Sequence, residues 1–293
     1  MKANQTCHAK DKRSPFMNDN EIETIEVKLL LDAVYQRYGY DFQDYALSTM
    51  KRRIVRRMEA ESLPSIAALQ DRVIHDPVVV ERLVMDFSIT TSAMFRDPSC
   101  FLAFREKIVP MLRTYPFLRI WLAGCGNGEE VMSMAIILKE EGLLNRCRVY
   151  VTDMNETVLQ TAKTGIFPIR KMKDYTRNYI ESGGKQVFSD YYIAKYDHVR
   201  FLPELTADMV FALHNLVTDS SFNEFHVIFC RNVMIYFNRK LQNRVHELLY
   251  RSLIHLGILC LGEKETLHFT PHEDDYTAVT DRNCLYRKIR YDN

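Results

Sequence analysis

Apolar and polar residues repeat with a helical period through residues 21–87. Along one predicted helix, Leu47, Met50, Ile54 and Met58 have the spacing of a single helix face. Four helices are predicted, over residues 22–39, 44–63, 65–74 and 78–87. The pattern therefore indicates a small all-α domain, and the polar residues 1–20 that precede it are expected to form a mobile tail.

The period changes near residue 117, where short apolar runs begin to alternate with helical segments. This alternation is typical of an α/β fold in which helices cover a parallel sheet. Six strands are predicted, with room for a seventh, over residues 117–124, 148–153, 209–215, 226–232, 257–262 and 284–289, and helices over 129–142, 155–165 and 239–257. Residues 166–208 interrupt the alternation, and two short β-like runs predict a small antiparallel subdomain at about 186–203. We expect a helical domain with its linker at 21–95 and an α/β domain at 96–293.

Composition and charge exclude several classes of protein. The chain has 293 residues, of which 47% are apolar, and its net charge of +1 argues against a chain-wide nucleic-acid footprint. No segment has the apolar core of a signal peptide or the roughly 20 apolar residues of a membrane span. The 7 cysteines form no C-x-x-C pair, and several lie within apolar runs, which predicts free thiols. We expect a cytoplasmic protein in a reducing compartment, with no zinc site and no membrane insertion.

Glycine is scarce, yet three of the 10 glycines, Gly124, Gly126 and Gly128, fall between a predicted strand and a predicted helix. In doubly wound sheets a nucleotide-like ligand approaches the backbone at this turn, although a tight turn can also use glycine for structure alone. Glu129 and Glu130 follow directly, and two carboxylates at a helix N-terminus oppose a pyrophosphate. A cationic ligand without phosphate, such as S-adenosylmethionine, fits better, and we expect it to contact Gly124.

Polar residues also end three of the predicted strands. Asp153 stands 25 residues after Gly128, close to the spacing at which an acidic side chain meets ribose hydroxyls, and its alternative interpretation is a helix cap. Asn215 and Asn232 end two later strands. Because strand ends line the ligand crevice of open α/β sheets, a carboxamide there can bond the adenine or the amino acid part of the ligand.

Four segments carry a recognisable combination of motifs: SITTSAMFRDPSCFLAFREKIVP, AGCGNGEEVMSMAIIL, TDMNETVLQTAKTGIF and NLVTDSSFNEFHVIFCRNVMIYFNRKLQNRV. With them the chain resembles, over roughly residues 25–290, the CheR family of chemotaxis receptor glutamate methyltransferases. The resemblance implies a Rossmann-like class I S-adenosylmethionine-dependent methyltransferase domain, with an N-terminal all-α domain and a small antiparallel β insertion. It also implies methyl transfer to glutamate side chains of a chemoreceptor or receptor-like coiled coil, with S-adenosylhomocysteine as product.

Carried over by position, the resemblance implies cofactor contacts at Thr90, Ser92, Arg96, Glu129, Asp153, Asn215, Leu216, Asn232 and Val233. It implies that Arg96 is the active-site arginine and that Tyr236 lies near the transferred methyl group. From the residues alone, Arg96 would be assigned to an ion pair with Asp97, and Tyr236 to the core. The chain departs from the family at Thr90 and Ser92, where Asn and Thr are usual, so we expect rearranged cofactor contacts there.

The second predicted helix carries a run of cations, with Arg52, Arg53, Arg56 and Arg57 opposite its apolar face. A solvated face is the usual explanation, but adjacent cations repel one another unless a partner offsets the repulsion. Nucleic acid is one candidate partner, and the acidic methylation helices of a chemoreceptor, which the resemblance favours, are the other. We expect no nucleic acid partner.

The 186–203 insertion has a short turn without the glycine-containing loop of family members that bind a receptor's C-terminal pentapeptide, so we expect no such tether. Two alternative functions stay open. The departures at Thr90 and Ser92 would suit a non-catalytic module that binds the cofactor or a signalling kinase. The basic helix would suit a nucleic-acid methyltransferase, against which stands the missing Asn/Asp-Pro-Pro-Tyr type of motif.

Overall fold

Four helices form the N-terminal domain in the computed structural model, which describes residues 18–87, 92–280 and 284–290. They are α1 (Asp19–Tyr38), α2 (Leu47–Ala60), α3 (Ile66–His75) and α4 (Pro77–Phe87). Helix α1 starts with a capping box between Asn18 and Glu21 and ends at Gly39, whose φ of 79° is left-handed. Most of the predicted tail lies outside the described residues, and α1 already begins at Asp19.

The rest of the chain alternates between helices and strands. The helices are α5 (Pro98–Ala103), which continues through a π-helical turn (Phe104–Ile108) into α6 (Val109–Leu112), then α7 (Glu129–Glu140), α8 (Glu156–Thr164), α9 (Met172–Glu181) and α10 (Arg239–Arg251). The strands are β1 (Leu118–Ala123), β2 (Cys147–Asp153), β3 (Ile166–Pro168), β4 (Tyr192–Lys195), β5 (His198–Phe201), β6 (Val210–Leu213), β7 (Phe225–Cys230), β8 (Leu253–Leu261), β9 (Tyr276–Ala278) and β10 (Leu285–Lys288).

Seven strands form one sheet in the order β6-β2-β1-β7-β8-β10-β9. Strand β1 pairs in parallel with β2 on one side and with β7 on the other. The chain therefore moves outward from β1 through β2 to β6, and then returns to place β7 against the free edge of β1. Open α/β sheets bind their ligands outside the carboxyl ends of the strands at such a reversal.

The insertion forms a separate antiparallel sheet in the order β3-β5-β4. Two of its strands, β4 and β5, match the two β-like runs of the sequence. The third, β3, follows α8 directly and pairs Ile166 with Arg200 of β5. The small sheet therefore recruits a strand from outside the range predicted for it.

The boundary between α10 and β8 differs from the prediction. The helix was predicted to reach residue 257, but it ends at Arg251, and β8 begins at Leu253. Leu256, which lies within the range predicted for the helix, has a left-handed φ of 62° and is 42% exposed. A short apolar run is compatible with either a helix or a strand. Here the run pairs in parallel with β7 and is a strand.

Two cysteines depart from the expectation of free thiols. Cys100 in α5 and Cys284 beside β10 form a disulfide, with their Cα atoms 6.2 Å apart. The expectation was wrong for this pair because contacts across the fold bring together residues separated by 184 positions. The free cysteines among the described residues are all buried: Cys125, Cys147, Cys230 and Cys260.

The helical domain and the sheet share a hydrophobic core. Phe42 of the loop between α1 and α2, Phe87 of α4 and other residues of the helical domain belong to the same buried cluster as Trp121 of β1. The backbone also crosses this boundary, because Tyr45 forms a bridge with Phe237. Within the described ranges, no helix has both the length and the apolar character needed to cross a bilayer.

Candidate functional site

A cleft opens at the carboxyl ends of β1, β2, β6 and β7. It lies at the reversal of strand order, where the fold predicts a ligand. The structure brings most of the predicted cofactor contacts to its wall: Ser92, Arg96, Gly124, Asp153, Asn215, Leu216, Asn232 and Val233. Thr90 lies outside the described residues.

The glycines after β1 have two different roles. Gly124 has a φ of 76°, and a Cβ atom there would lie 2.6 Å from Cγ2 of Val233, so the turn and the loop after β7 approach closely at the cleft. Gly128 has a φ of 93°, and its Cβ atom would lie 2.8 Å from Cα of Ala162. Gly128 therefore allows α7 to pack on α8, whereas Gly124 shapes the cleft.

Asp153 presents its carboxylate at the end of β2. Its two oxygens accept hydrogen bonds from the backbone N–H groups of Gly126, at 3.2 Å, and Asn155, at 3.1 Å. Burial raises the pKa of Asp153 above its usual value, although these backbone donors oppose the rise. The helix cap of α8 is Asn155, which accepts from Thr157 N–H, so the alternative interpretation of Asp153 as that cap is wrong.

A network of ion pairs surrounds the buried side chain of Arg231, which lines the cleft. The Arg231 side chain is 1% exposed and donates to Glu130, at 2.9 Å, and to Asp97, at 2.7 Å. It also donates to the carbonyl of Arg96, at 2.9 Å. Burial raises the pKa of Glu130, and the charge of Arg231 opposes this rise. The network ties the glycine loop, β7 and the segment around Arg96 to one cation.

Arg96 lies on the cleft wall within a constrained segment. The residues on either side, Phe95 and Asp97, have left-handed φ values of 50° and 57°, a region that costs free energy for residues other than glycine. Phe95 N–H donates to the buried Ser133 hydroxyl at 2.8 Å, which fixes one side of the turn. Asp97 pairs with Arg231 at 2.7 Å, which fixes the other side of the turn.

The loop after β7 is held by a single carboxylate. Glu265 accepts from the backbone N–H groups of Asn232, Val233 and Met234 at 2.7 to 2.9 Å, and from Gly262 N–H at 2.7 Å. Asn232 itself has a left-handed φ of 59°. Four donors around one acid fix the backbone that carries two predicted cofactor contacts.

The amide of Asn215 is oriented by its own turn. Its Oδ1 accepts from Val217 N–H at 2.9 Å, while its backbone N–H donates to Asp219 at 2.9 Å. The carbonyl side of the amide is therefore engaged within the protein. The amide is oriented to offer donors to a ligand in the cleft.

Glu129 is the predicted cofactor contact that the structure does not bring to the cleft. Its side chain is fully buried and accepts from Lys171 and from the Tyr175 hydroxyl, each at 3.0 Å. The neighbouring Glu130 lines the cleft instead. Consecutive helix residues point about 100° apart, so only one of the two can face the ligand.

Tyr236, the other predicted catalytic residue, lies half-buried beside α2. Its carbonyl accepts from Ala46 N–H at 2.8 Å, and the guanidinium of Arg53 lies 5.3 Å from its ring centroid. Tyr236 itself is not part of the cleft wall that the described residues form, whereas the next residue, Phe237, is.

The four arginines of α2 were predicted to share one exposed face, and this was wrong for two of them. Arg57 pairs with Asp86 at 2.7 Å and with Glu61 at 3.2 Å. Arg53 is also half-buried and turns toward α4. Arg52 and Arg56 remain exposed.

Sequence reasoning missed several residues of the cleft wall, namely Tyr45, Phe87, Glu130, Met154, His214, Arg231 and Phe237. Tyr45 and Phe87 come from the helical domain, and no local signal points to them. Tyr45 is buried, its hydroxyl lies 3.7 Å from the sulfur of Met154, and burial raises its pKa. The helical domain therefore supplies part of the cleft wall.

Two family models match this chain. The CheR methyltransferase all-alpha domain matches residues 25–88, and the CheR methyltransferase SAM binding domain matches residues 90–283. The chain belongs to the CheR methyltransferase family. S-adenosylmethionine is thus the cofactor of this CheR protein, and the predicted fold class is confirmed.

Two relatives in sequence agree with this assignment. A Pseudomonas putida protein described as a methyltransferase, Cher3, is 44% identical over 264 residues, which cover 90% of this chain and 97% of that protein. A chemotaxis protein methyltransferase of Listeria innocua is 27% identical over 85% of this chain and 92% of its own length. Among solved structures, the N-methyltransferase NodS of Bradyrhizobium japonicum with S-adenosylhomocysteine is 12% identical, with a TM-score of 0.38, and covers 67% of this chain and 89% of that one.

The cleft suits this cofactor. Glu130 and Asp153 place two carboxyl groups on the wall, while Arg231, the buried cation beside them, is already paired. Arg96 adds a cation to the same wall, so the wall carries both signs of charge, and its carboxyl groups are the ones that suit a sulfonium or an ammonium group. Gly124 lets the glycine turn approach Val233 closely, and Asp153 retains lone pairs for ribose hydroxyls.

Proposed function

We propose that this CheR protein transfers a methyl group from S-adenosylmethionine to glutamate side chains of a chemoreceptor or a receptor-like signalling protein. The products are a glutamyl methyl ester and S-adenosylhomocysteine. The observation that carries the proposal is the position of Arg96, a cation on the wall of the cofactor cleft, held by a constrained turn. The chemotaxis protein methyltransferases among its relatives support the choice of substrate class.

Methyl transfer to a carboxylate requires little acid or base catalysis from the protein. A glutamate side chain has a pKa of about 4.3, so it is already a carboxylate at neutral pH and needs no general base. When bound, the cofactor supplies an electrophilic methyl carbon, to which a carboxylate oxygen bonds as the bond to sulfur breaks and its electron pair stays on sulfur. The protein must hold the carboxylate in line and exclude water.

Arg96 has the charge and position to hold one oxygen of the substrate carboxylate. The other oxygen then remains available as the nucleophile. The left-handed turns at Phe95 and Asp97, and the hydrogen bond from Arg231 to the Arg96 carbonyl, fix the backbone from which this side chain extends. Tyr236 is proposed to shape the path of the substrate beside the neighbouring Phe237, which lines the cleft.

The docking surface on α2 is proposed to use the two exposed arginines, Arg52 and Arg56. Their charge suits the acidic methylation helices of a receptor. The turn between β4 and β5 is short, with Tyr196 89% exposed and Asp197 beside it. We keep the prediction that docking needs no C-terminal pentapeptide, which measurable binding of such a peptide would contradict.

The proposed function is tested with S-adenosylmethionine labelled in the methyl group and with cytoplasmic fragments of the chemoreceptors encoded in the same genome. Label that enters the fragment and is released as methanol by alkali identifies a methyl ester. The variant Asp153→Ala should abolish both labelling and cofactor binding in isothermal titration. The exposed Asp208→Asn, which removes a carboxylate from the surface, should abolish neither.

Two outcomes would contradict the proposal. If the wild-type protein binds the cofactor but labels none of the fragments, the substrate is not a chemoreceptor. If label is incorporated but resists alkali, the product is not a carboxyl ester.

A further inference from the structure

Arg53 lies on α2 next to the exposed Arg52, yet its guanidinium faces the interior. Its Nη1 donates to the carbonyl oxygens of Asp86 and Phe87, each at 2.6 Å. These carbonyls belong to the last turn of α4, where helix carbonyls have no partner within the helix. A cation at this end also complements the helix dipole. Arg53 therefore fixes the end of α4.

The same guanidinium lies over the ring of Tyr236, 5.3 Å from its centroid. At this distance the ring face attracts the cation. The backbone of Tyr236 is held from the same side, because Ala46 N–H at the start of α2 donates to its carbonyl at 2.8 Å. Both the ring and the backbone of Tyr236 are thus positioned by the helical domain.

Of the two groups that Arg53 holds, one lines the cleft and the other, Tyr236, directly precedes a residue that lines it. Phe87, at the end of α4, lines the cleft, and so does Phe237, the residue after Tyr236. One side chain of α2 therefore connects two cleft segments that are far apart in the sequence. Neither Arg52 nor Arg56 does so, because both are exposed.

We propose that Arg53 is a positioning residue for methyl transfer, which acts by fixing Tyr236 and the end of α4 relative to each other, and is not part of the surface that docks the substrate. The proposal rests on the proposed function, since it gives Tyr236 a place in the transfer site. It also predicts that the docking helix and the transfer site are joined by a direct contact.

Positioning and docking have different kinetic signatures. Loss of a positioning contact lowers kcat and leaves KM nearly unchanged, because the substrate still binds. Loss of an exposed docking charge raises KM and weakens its dependence on salt. Arg53→Gln is therefore expected to lower kcat at least about tenfold, with KM within about twofold of the wild-type value. Arg53→Lys, which retains the charge, should restore part of kcat, whereas Arg52→Gln should act on KM.

A double-mutant cycle identifies the residue through which Arg53 acts. In a Tyr236→Leu background the ring is absent, so Arg53→Gln should lower kcat by less than about twofold further. In a Tyr236→Phe background the ring remains, and the full effect should return. Two results would overturn the proposal. One is that Arg53→Gln changes KM and not kcat. The other is that Arg53→Gln lowers kcat by the same factor in the Tyr236→Leu background as in the wild type.

The same double-mutant cycle can be measured on stability by urea unfolding, which needs no substrate. The unfolding midpoints of Arg53→Gln and Tyr236→Leu should be non-additive, while those of Arg52→Gln and Tyr236→Leu should add. If the wild-type protein methylates no receptor fragment, the proposed function fails, and the unfolding cycle still decides whether Arg53 holds Tyr236. Additive midpoints for Arg53 and Tyr236 would overturn that contact.

Discussion

Replacing Gly124 by alanine tests whether the close approach of the glycine turn to Val233 shapes the cofactor cleft. Gly124 has a φ of 76°, a conformation that costs an L-residue about 1–2 kcal/mol. An added Cβ atom would also lie 2.6 Å from Cγ2 of Val233. Carbon atoms in contact are about 3.5–4.0 Å apart, so the turn or the loop after β7 must move by about 1 Å.

Val233 has little freedom to move away from an added Cβ atom at position 124. Its β-branched side chain has restricted χ1 freedom, and its backbone N–H is bonded to Glu265 at 2.9 Å. The shift should therefore spread into backbone that lines the cleft. Because a misplacement of about 1 Å can cost about 100-fold in rate, we expect the affinity for S-adenosylhomocysteine to fall at least about tenfold, or ~1.4 kcal/mol.

Gly142→Ala is the matched control. Gly142 has a φ of 68°, and no described atom lies within 4 Å of its added Cβ, so this variant carries the backbone strain without the contact. Urea unfolding should show a loss of about 1–2 kcal/mol for Gly142→Ala and a larger loss for Gly124→Ala, which adds the contact with Val233. Isothermal titration should show weaker binding only for Gly124→Ala. If Gly124→Ala binds S-adenosylhomocysteine within about twofold of the wild type, the contact with Val233 does not shape the cleft.

Three further predictions concern buried ionisable groups. Arg231→Met should lower the unfolding free energy in urea by about 3–5 kcal/mol, because Glu130 then has no buried counter-charge; adding Glu130→Gln should recover part of the loss, and no recovery would argue against the pair. The raised pKa of Asp153 means that the folded state binds its proton more tightly than the unfolded state, so stability falls as pH rises above about 4; Asp153→Asn should therefore be more stable at pH 7 while it binds S-adenosylhomocysteine less tightly, and a less stable variant would contradict this sign. Burial lowers the pKa of His246 from 6.5 to about 4, so the unfolded state binds more protons between these values and stability falls with acidification, by roughly 3 kcal/mol in full; His246→Leu should flatten this part of the urea-derived stability profile, and an unchanged slope would show that another group is responsible.

Much of the fold is predictable because buried parallel strands are continuous apolar runs. Strand β1 is buried at five of its six positions, and its sequence shows no polar face. Once the first strands and the glycine turn are placed, the ends of β2, β6 and β7 must lie at one edge of the sheet. For that reason Asp153, Asn215 and Asn232 could be expected near one another before their contacts were known.

The residues that sequence reasoning misplaced or missed depend on orientation and on contacts across domains. Glu129 and Glu130 have the same chemistry in neighbouring positions, and only the rotation of α7 decides which one faces the cleft. Tyr45 and Phe87 reach the cleft from the helical domain, through a boundary that no periodicity describes. Glu265 acts on the loop after β7 from beyond β8, and the sequence does not reveal this pairing.

The arginines of α2 show the same limit for a charged surface. A helical projection places Arg53 and Arg57 with Arg52 and Arg56, because all four lie opposite the apolar face. Whether a cation on that face meets water or protein depends on the next helix, and here α4 presents Asp86 and its terminal carbonyls to two of the four. The exposed charge is therefore about half of what the sequence indicates. Arg57 is paired within the helical domain, and Arg53 also contacts Tyr236 of the α/β domain. A partner that docks on Arg52 and Arg56 would touch a helix that also contacts Tyr236, so the two proposals together predict that docking and transfer are coupled through α2.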